Sequence, residues 1–180
     1  ESIVLGSVDG LGDLSLITNG IELTGDIAAS SVDIRQRDST TPVVLGGAGT
    51  GSGLVLSSAE LARLSDGMTS ITVGRPDGTG GIQVFAAAFR DPVSLEAGMG
   101  VVRLQGSLSG EGDAAFTISG SDIQWSGDVL TEGGAVVFDA PVILLGESSI
   151  DTSGGSWTVS GDVGGSVGLV ADLGTGAWDV

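Results

Sequence analysis

The sequence predicts an all-β chain wound as a parallel β-helix, a β-solenoid with about 21 residues and three short strands per rung. Three observations predict it. Apolar–x–apolar triplets recur at a fixed interval, glycine falls in phase between them, and the apolar content is aliphatic more than aromatic. Of 180 residues, 41% are hydrophobic but only 4% aromatic, and 33 are Gly. A compact globule draws much of its core volume from large rings; here Val, Leu, Ile and Ala must supply it. Gly is unfavourable inside helices and suits tight corners, so the composition favours short β-branched strands broken by turns. A mean hydropathy of +0.38 sets the chain apart from disordered sequences, which lack apolar surface to bury.

The triplets fall into three series. One runs Ile71-Thr72-Val73, Val93-Ser94-Leu95, Phe116-Thr117-Ile118, Val136-Val137-Phe138, Trp157-Thr158-Val159 and Trp178-Asp179-Val180, with first residues 22, 23, 20, 21 and 21 apart. A second reads Ile82-Gln83-Val84, Val102-Arg103-Leu104, Ile123-Gln124-Trp125 and Ile143-Leu144-Leu145, at steps of 20, 21 and 20. A third places Leu108, Val129 and Ile150 at steps of 21, and Gly112, Gly133 and Gly154 follow in the same phase. Side chains alternate along a strand, so each triplet turns two residues inward and one outward. Three such strands joined by glycine corners make one rung, and rungs pair in parallel about 4.8 Å apart. Like residues then stack over like, and eight or nine rungs give a rod of roughly 40 Å. No rung buries its apolar face alone, so the stack folds as a unit.

The first part of the chain has a looser beat. Ile3-Val4-Leu5, Leu14-Ser15-Leu16, Ile21-Glu22-Leu23, Val32-Asp33-Ile34, Val43-Val44-Leu45 and Leu54-Val55-Leu56 recur mostly every 11 residues, and Ile21 to Val43 and Val32 to Leu54 are each 22. These predict earlier rungs of the same length, with longer turns at 36–41 and 46–53. The whole of 1–180 reads as a single solenoid: less regular rungs over 1–56, an excursion over 57–67, and regular rungs over 68–180. In that excursion Ser57 stands three before Glu60, the spacing of a capping box, and Ser65-Asp66-Gly67 supplies a stop. One or two helical turns are expected there, as a surface detour between rungs. Neither Ile3-Val4-Leu5 nor Trp178-Asp179-Val180 reads as a cap, and Glu1 stands in place of an initiator Met. The expectation is therefore a fragment of a longer repeat array, partnered by neighbouring rungs of its parent chain or by end-to-end copies.

Charge narrows the function classes. Six basic residues, all Arg, face 23 acidic ones for a net −17, which repels phosphate backbones and anionic headgroups. Neither nucleic acid nor membrane insertion is expected, since no 18-residue apolar run occurs. Without Cys or His, the usual zinc ligands and the Ser–His or Cys–His nucleophile pairs are missing.

The run from Leu56 through Ser57-Ser58-Ala59-Glu60-Leu61-Ala62-Arg63-Leu64-Ser65-Asp66-Gly67, with Ser70-Ile71-Thr72-Val73-Gly74-Arg75 and Asp77-Gly78-Thr79-Gly80 after it, resembles segments of filamentous-haemagglutinin-like large repetitive bacterial exoproteins. The resemblance extends from about residue 54 to the end. It implies a right-handed β-helix serving as a stalk of a secreted, cell-surface adhesin. It carries over no catalytic or receptor-binding residue.

Other readings need specific constellations. A polysaccharide-binding or -cleaving β-helix needs clustered carboxylates with a cation on one face, whereas the acidic residues here are scattered. The expectation is no enzyme, no catalytic residue and no cofactor, with host or bacterial glycans as conceivable surface partners. Calcium has weak candidates only: Asp77 in a glycine-rich loop, and Glu111 and Glu132, one rung apart, whose mutual repulsion a cation would relieve. An ice-binding face would need flat rows of Thr. Thr72, Ser94, Thr117, Val137, Thr158 and Asp179 form one outward column, broken at Val137 and Asp179. Trp157 and Trp178 should stack as core filling or an end plug.

Overall fold

The structure is a computed structural model that describes residues 2–10, 12–49 and 51–179. It is a β-solenoid in which every strand pairing among the described residues is parallel. One face carries eight strands, from Asp13–Ile17 and Ser31–Arg35 through Ser70–Gly74, Val93–Glu96, Phe116–Ser119, Val136–Asp139 and Trp157–Val159 to Trp178–Asp179. A second carries seven, from Leu54–Leu56 and Val43–Leu45 to Val163–Gly165. The third has five, from Ala87–Phe89 to Leu169–Asp172. Two short pairs, Ser2–Leu5 with Gly20–Leu23 and Val8–Asp9 with Ile27–Ala28, complete the early rungs.

The first-face series holds in register, with Ile71, Val93, Phe116, Val136, Trp157 and Trp178 stacked in turn; Val180 of the last triplet lies outside the described residues. Leu108, Val129 and Ile150 form the third stripe, all buried. Gly112, Gly133 and Gly154 take positive φ at the corners (64°, 105° and 111°), a region that glycine enters without steric cost. The core is a set of ladders, largely aliphatic to residue 104 and then thickened by rings. Trp125, Phe138 and Trp157 meet edge to face at centroid distances of 5.4, 5.9 and 6.0 Å.

Two expectations are corrected. Val142–Leu144, not Ile143–Leu145, stacks on Ile123–Trp125, with Val142 opposite Ile123 and Leu144 opposite Trp125. Val142 is 1% exposed, while Ile143 and Leu145 are 40% and 59% exposed. Four apolar residues stand in a row here, so alternation gives no phase, and a slip of one residue exchanges inside for outside.

The early rungs are not 22 residues long. Ile3 lies over Ile21 and Leu14 over Val32, each 18 apart. Val32 then pairs with Ile71 and Val43 with Ile82, each 39 apart. Between them the chain doubles back: Leu54–Leu56 pairs with Val43–Leu45, Leu54 opposite Val43. Gly46 and Gly53 make the tight return possible. Both have positive φ (82° and 109°), and a Cβ on either would lie 2.1 or 2.2 Å from a backbone oxygen of Ala86 or Pro42.

The returning strand leads into the only helix among the described residues, Ser58–Leu61. Its capping box is complete. Ser57 N–H donates to Glu60 Oε2 (2.8 Å) and Glu60 N–H to Ser57 Oγ (3.3 Å). Glu60 Oε1 also accepts Leu23 N–H (3.1 Å), tying the helix to the second rung. Leu61, Leu64 and Met68 are buried and Leu64 bridges Ile27 in parallel. The excursion thus turns Leu61, Leu64 and Met68 into the core while its polar residues stay at the surface.

Candidate functional site

Each calcium candidate makes a contact within the protein. Asp77 pairs with Arg75 through two bonds, Arg75 Nε to Oδ1 (2.5 Å) and Arg75 Nη2 to Oδ2 (2.7 Å). That hydrogen-bonded guanidinium holds the Asp77 carboxyl below its ordinary value. Arg75 also donates from Nη1 to the carbonyl of Arg37 (2.8 Å), clamping two rungs. Glu111 accepts from Arg90 Nε (3.4 Å), and Glu132 Oε2 accepts the N–H of Gly112 (3.0 Å). Glu111 and Glu132 thus each have a partner of their own, a guanidinium one rung away and a backbone amide. Among the described residues no three metal-ligating side chains converge.

The outward column Thr72, Ser94, Thr117, Val137, Thr158 and Asp179 is in register as expected, preceded by Ser15 and Asp33. Trp157 is fully buried and stacks flat on Trp178, with centroids 5.4 Å apart and planes 9° apart. Arg103 stands on an outer position of the second face and donates to Gln124 Oε1 (3.1 Å) on the next rung.

Sequence reasoning missed two features. One is Asp91, 1% exposed at the corner before Val93–Glu96. Its Oδ1 accepts Gly67 N–H (2.9 Å), while Oδ2 is buried with no partner among the described residues. Burial raises its carboxyl above the ordinary value.

The other is a cleft of about 300 Å³ between the helix and Ala87–Phe89. Its apolar wall comes from Leu61, Leu64, Ile71 and Phe89, its rim from Ala86, Ala88, Ser107 and Ser109, and the Arg90–Glu111 pair stands at the mouth. The volume lies at the lower end of the roughly 300–1,000 Å³ of ligand pockets. The cleft follows from the doubled-back strand. Val43–Leu45 adds a level to the second face, between Leu54–Leu56 and Ile82–Val84, but among the described residues the third face has no matching strand there. The run Ala86-Ala87-Ala88 carries no side chain large enough to fill the gap.

The fold defines a parallel β-solenoid whose first face carries a mostly hydroxyl and acidic outer column. Comparison with protein-family models, with curated proteins and with solved structures yields no match for this chain.

Proposed function

We propose that this chain is a structural rod, a stalk segment of a secreted, adhesin-like bacterial surface protein with no chemistry of its own. The observation that carries the reading is continuous parallel register along the eight-stranded face. In such a stack every rung contacts only its neighbours, so length is added without redesign of the core. Force along the axis has to part the strand pairing of each rung in turn, because the bonds between rungs lie along that axis. The acidic surface keeps neighbouring rods apart. The resemblance of residues 54 onward to filamentous-haemagglutinin-like stalks supports the same reading.

Pulling the chain by its termini tests it. A rod should yield in a series of steps of roughly 70 Å, one rung of about 21 residues at 3.3–3.6 Å each. A chain that extends at once, at forces typical of unfolded polypeptide, would rule out the stalk. Binding or cleavage of a polysaccharide in a glycan screen would move the assignment to a carbohydrate-acting β-helix.

A further inference from the structure

We propose that the cleft between the helix and Ala87–Phe89 is a docking slot for a short extended peptide. The peptide would add to the solenoid as the missing third-face strand. The inference is independent of the stalk reading.

The hydrogen-bond phase of Ala87–Phe89 is the first argument. Ala87 N–H donates to Ser107 O (3.0 Å) and Phe89 O accepts from Glu111 N–H (2.9 Å), so residues 87 and 89 face the next rung, Leu108–Gly110. Successive residues of a strand point their backbone groups to opposite edges. Ala88 N–H and C=O therefore face the cleft, and among the described residues neither has a hydrogen-bond partner. Ala87–Phe89 is the terminal strand of its sheet. An exposed strand edge is a template for another strand.

The level count is the second argument. Leu64 bridges Ile27 from above, and Ala87–Phe89 lies beyond it on the same side, with the helix beside the gap. The helix anchors only one end of this edge, where Ser58 Oγ donates to Ala86 O (2.6 Å) and Gly47 N–H donates to the same oxygen (3.2 Å). The rest of the edge, Ala88 to Arg90, opens into the cleft.

The walls specify the occupant. Leu61, Leu64, Ile71 and Phe89 suit one or two aliphatic side chains, while Ala88 and Ser109 leave room for a backbone to approach. Arg90 and Glu111 offset each other at the mouth, so it is the net −17 of the whole chain that favours basic flanks. Main-chain bonds would give affinity and the apolar wall selectivity, the division seen in strand addition generally.

A blocked pentapeptide with valine at its second and fourth positions and lysine at both ends is the probe, followed by amide NMR. The Ala88 amide should exchange rapidly in the free protein and become protected on titration. Methylating the peptide's backbone nitrogens should abolish binding. Ala88→Pro removes a donor that the Leu108–Gly110 pairing does not use, and should weaken binding by about tenfold, the value of one hydrogen bond. A thermal melt of that variant checks that the solenoid persists. Ala62→Trp, which fills the cleft from the helix side, should compete with the peptide. An Ala88 amide already slow to exchange, equal binding of the methylated peptide, or unchanged affinity in both variants would overturn the proposal.

Discussion

At the scale of single residues, stability turns on groups that the solenoid buries without full compensation. Asp91 is one. A free carboxyl ionises near 3.8, and burial holds that of the folded chain higher. As pH rises from the first value to the second, the unfolded chain releases its proton while the folded chain keeps it. Asp91 therefore withdraws stability across that window, and the loss is complete and constant above it. Asp91→Asn should gain on the wild type as pH rises above the ordinary carboxyl value, and level off once the folded carboxyl has ionised, in paired urea titrations; a difference independent of pH would refute the assignment. Trp125 is a second case, fully buried with its indole N–H unpartnered. An orphan donor costs about 1–3 kcal/mol, so Trp125→Phe should offset its lost volume and stay within about 1.5 kcal/mol of wild type. Trp125→Ala opens a cavity and should cost about 3–5 kcal/mol. The burial of both Trp125 and Trp157 was legible in the triplets. That of Asp91 was not, because an acidic residue before a proline reads as a turn in any sequence.

At the scale of elements, corners matter as much as strands. Thr131 Oγ1 donates to Gly134 O (2.6 Å), and one rung on Thr152 Oγ1 donates to Gly155 O (2.5 Å). A Cβ on Gly155 would fall 2.3 Å from Gly134 O, and one on Gly134 would fall 1.9 Å from Ala114 O. Gly155→Ala should therefore destabilise by about 1–3 kcal/mol, whereas Gly164→Ala, with open space around it, should be nearly silent in the same thermal melts. The helix is a second corner device. Glu60 serves its own N-terminus and Leu23 N–H at once, so Glu60→Ala should cost about 1–3 kcal/mol, and Glu60→Gln, which keeps an acceptor, clearly less. The helix start was legible from Ser57 and Glu60, since a capping box is local. The doubled-back strand was not. Its triplets, Val43-Val44-Leu45 and Leu54-Val55-Leu56, have the same form as any rung. Only pairing across 39 residues decides that Val43 meets Ile82. The cleft was illegible for the same reason, being the space left where one face gains a level and its neighbour does not.

At the scale of the molecule, cohesion and repulsion run along one axis. The ladders of Val, Leu, Ile and Phe attract between neighbouring rungs, and they are uncharged. The 23 acidic residues against six Arg repel over a longer range, some of them in stacked positions. Asp151 lies opposite Asp172 on the third face, one rung away. Each accepts a backbone amide, Ser153 N–H at 2.9 Å and Gly174 N–H at 3.0 Å, so the turns that hold them preserve the like-charge contact. Parallel rungs are about 4.8 Å apart, well inside the screening length of roughly 30 Å at 0.01 M salt and still inside the roughly 8 Å at 0.15 M. Repulsion between rungs two or more apart is screened between those two concentrations, while the hydrophobic ladders strengthen only in strongly excluded salts. The melting temperature should accordingly rise by several degrees from about 0.01 to 0.15 M NaCl. Choline chloride at matched ionic strength should give the same rise, since screening depends on concentration and not on the cation. A flat melting temperature would mean that repulsion between rungs contributes little to stability, and a rise with calcium far above the matched control would point to an acidic cation site.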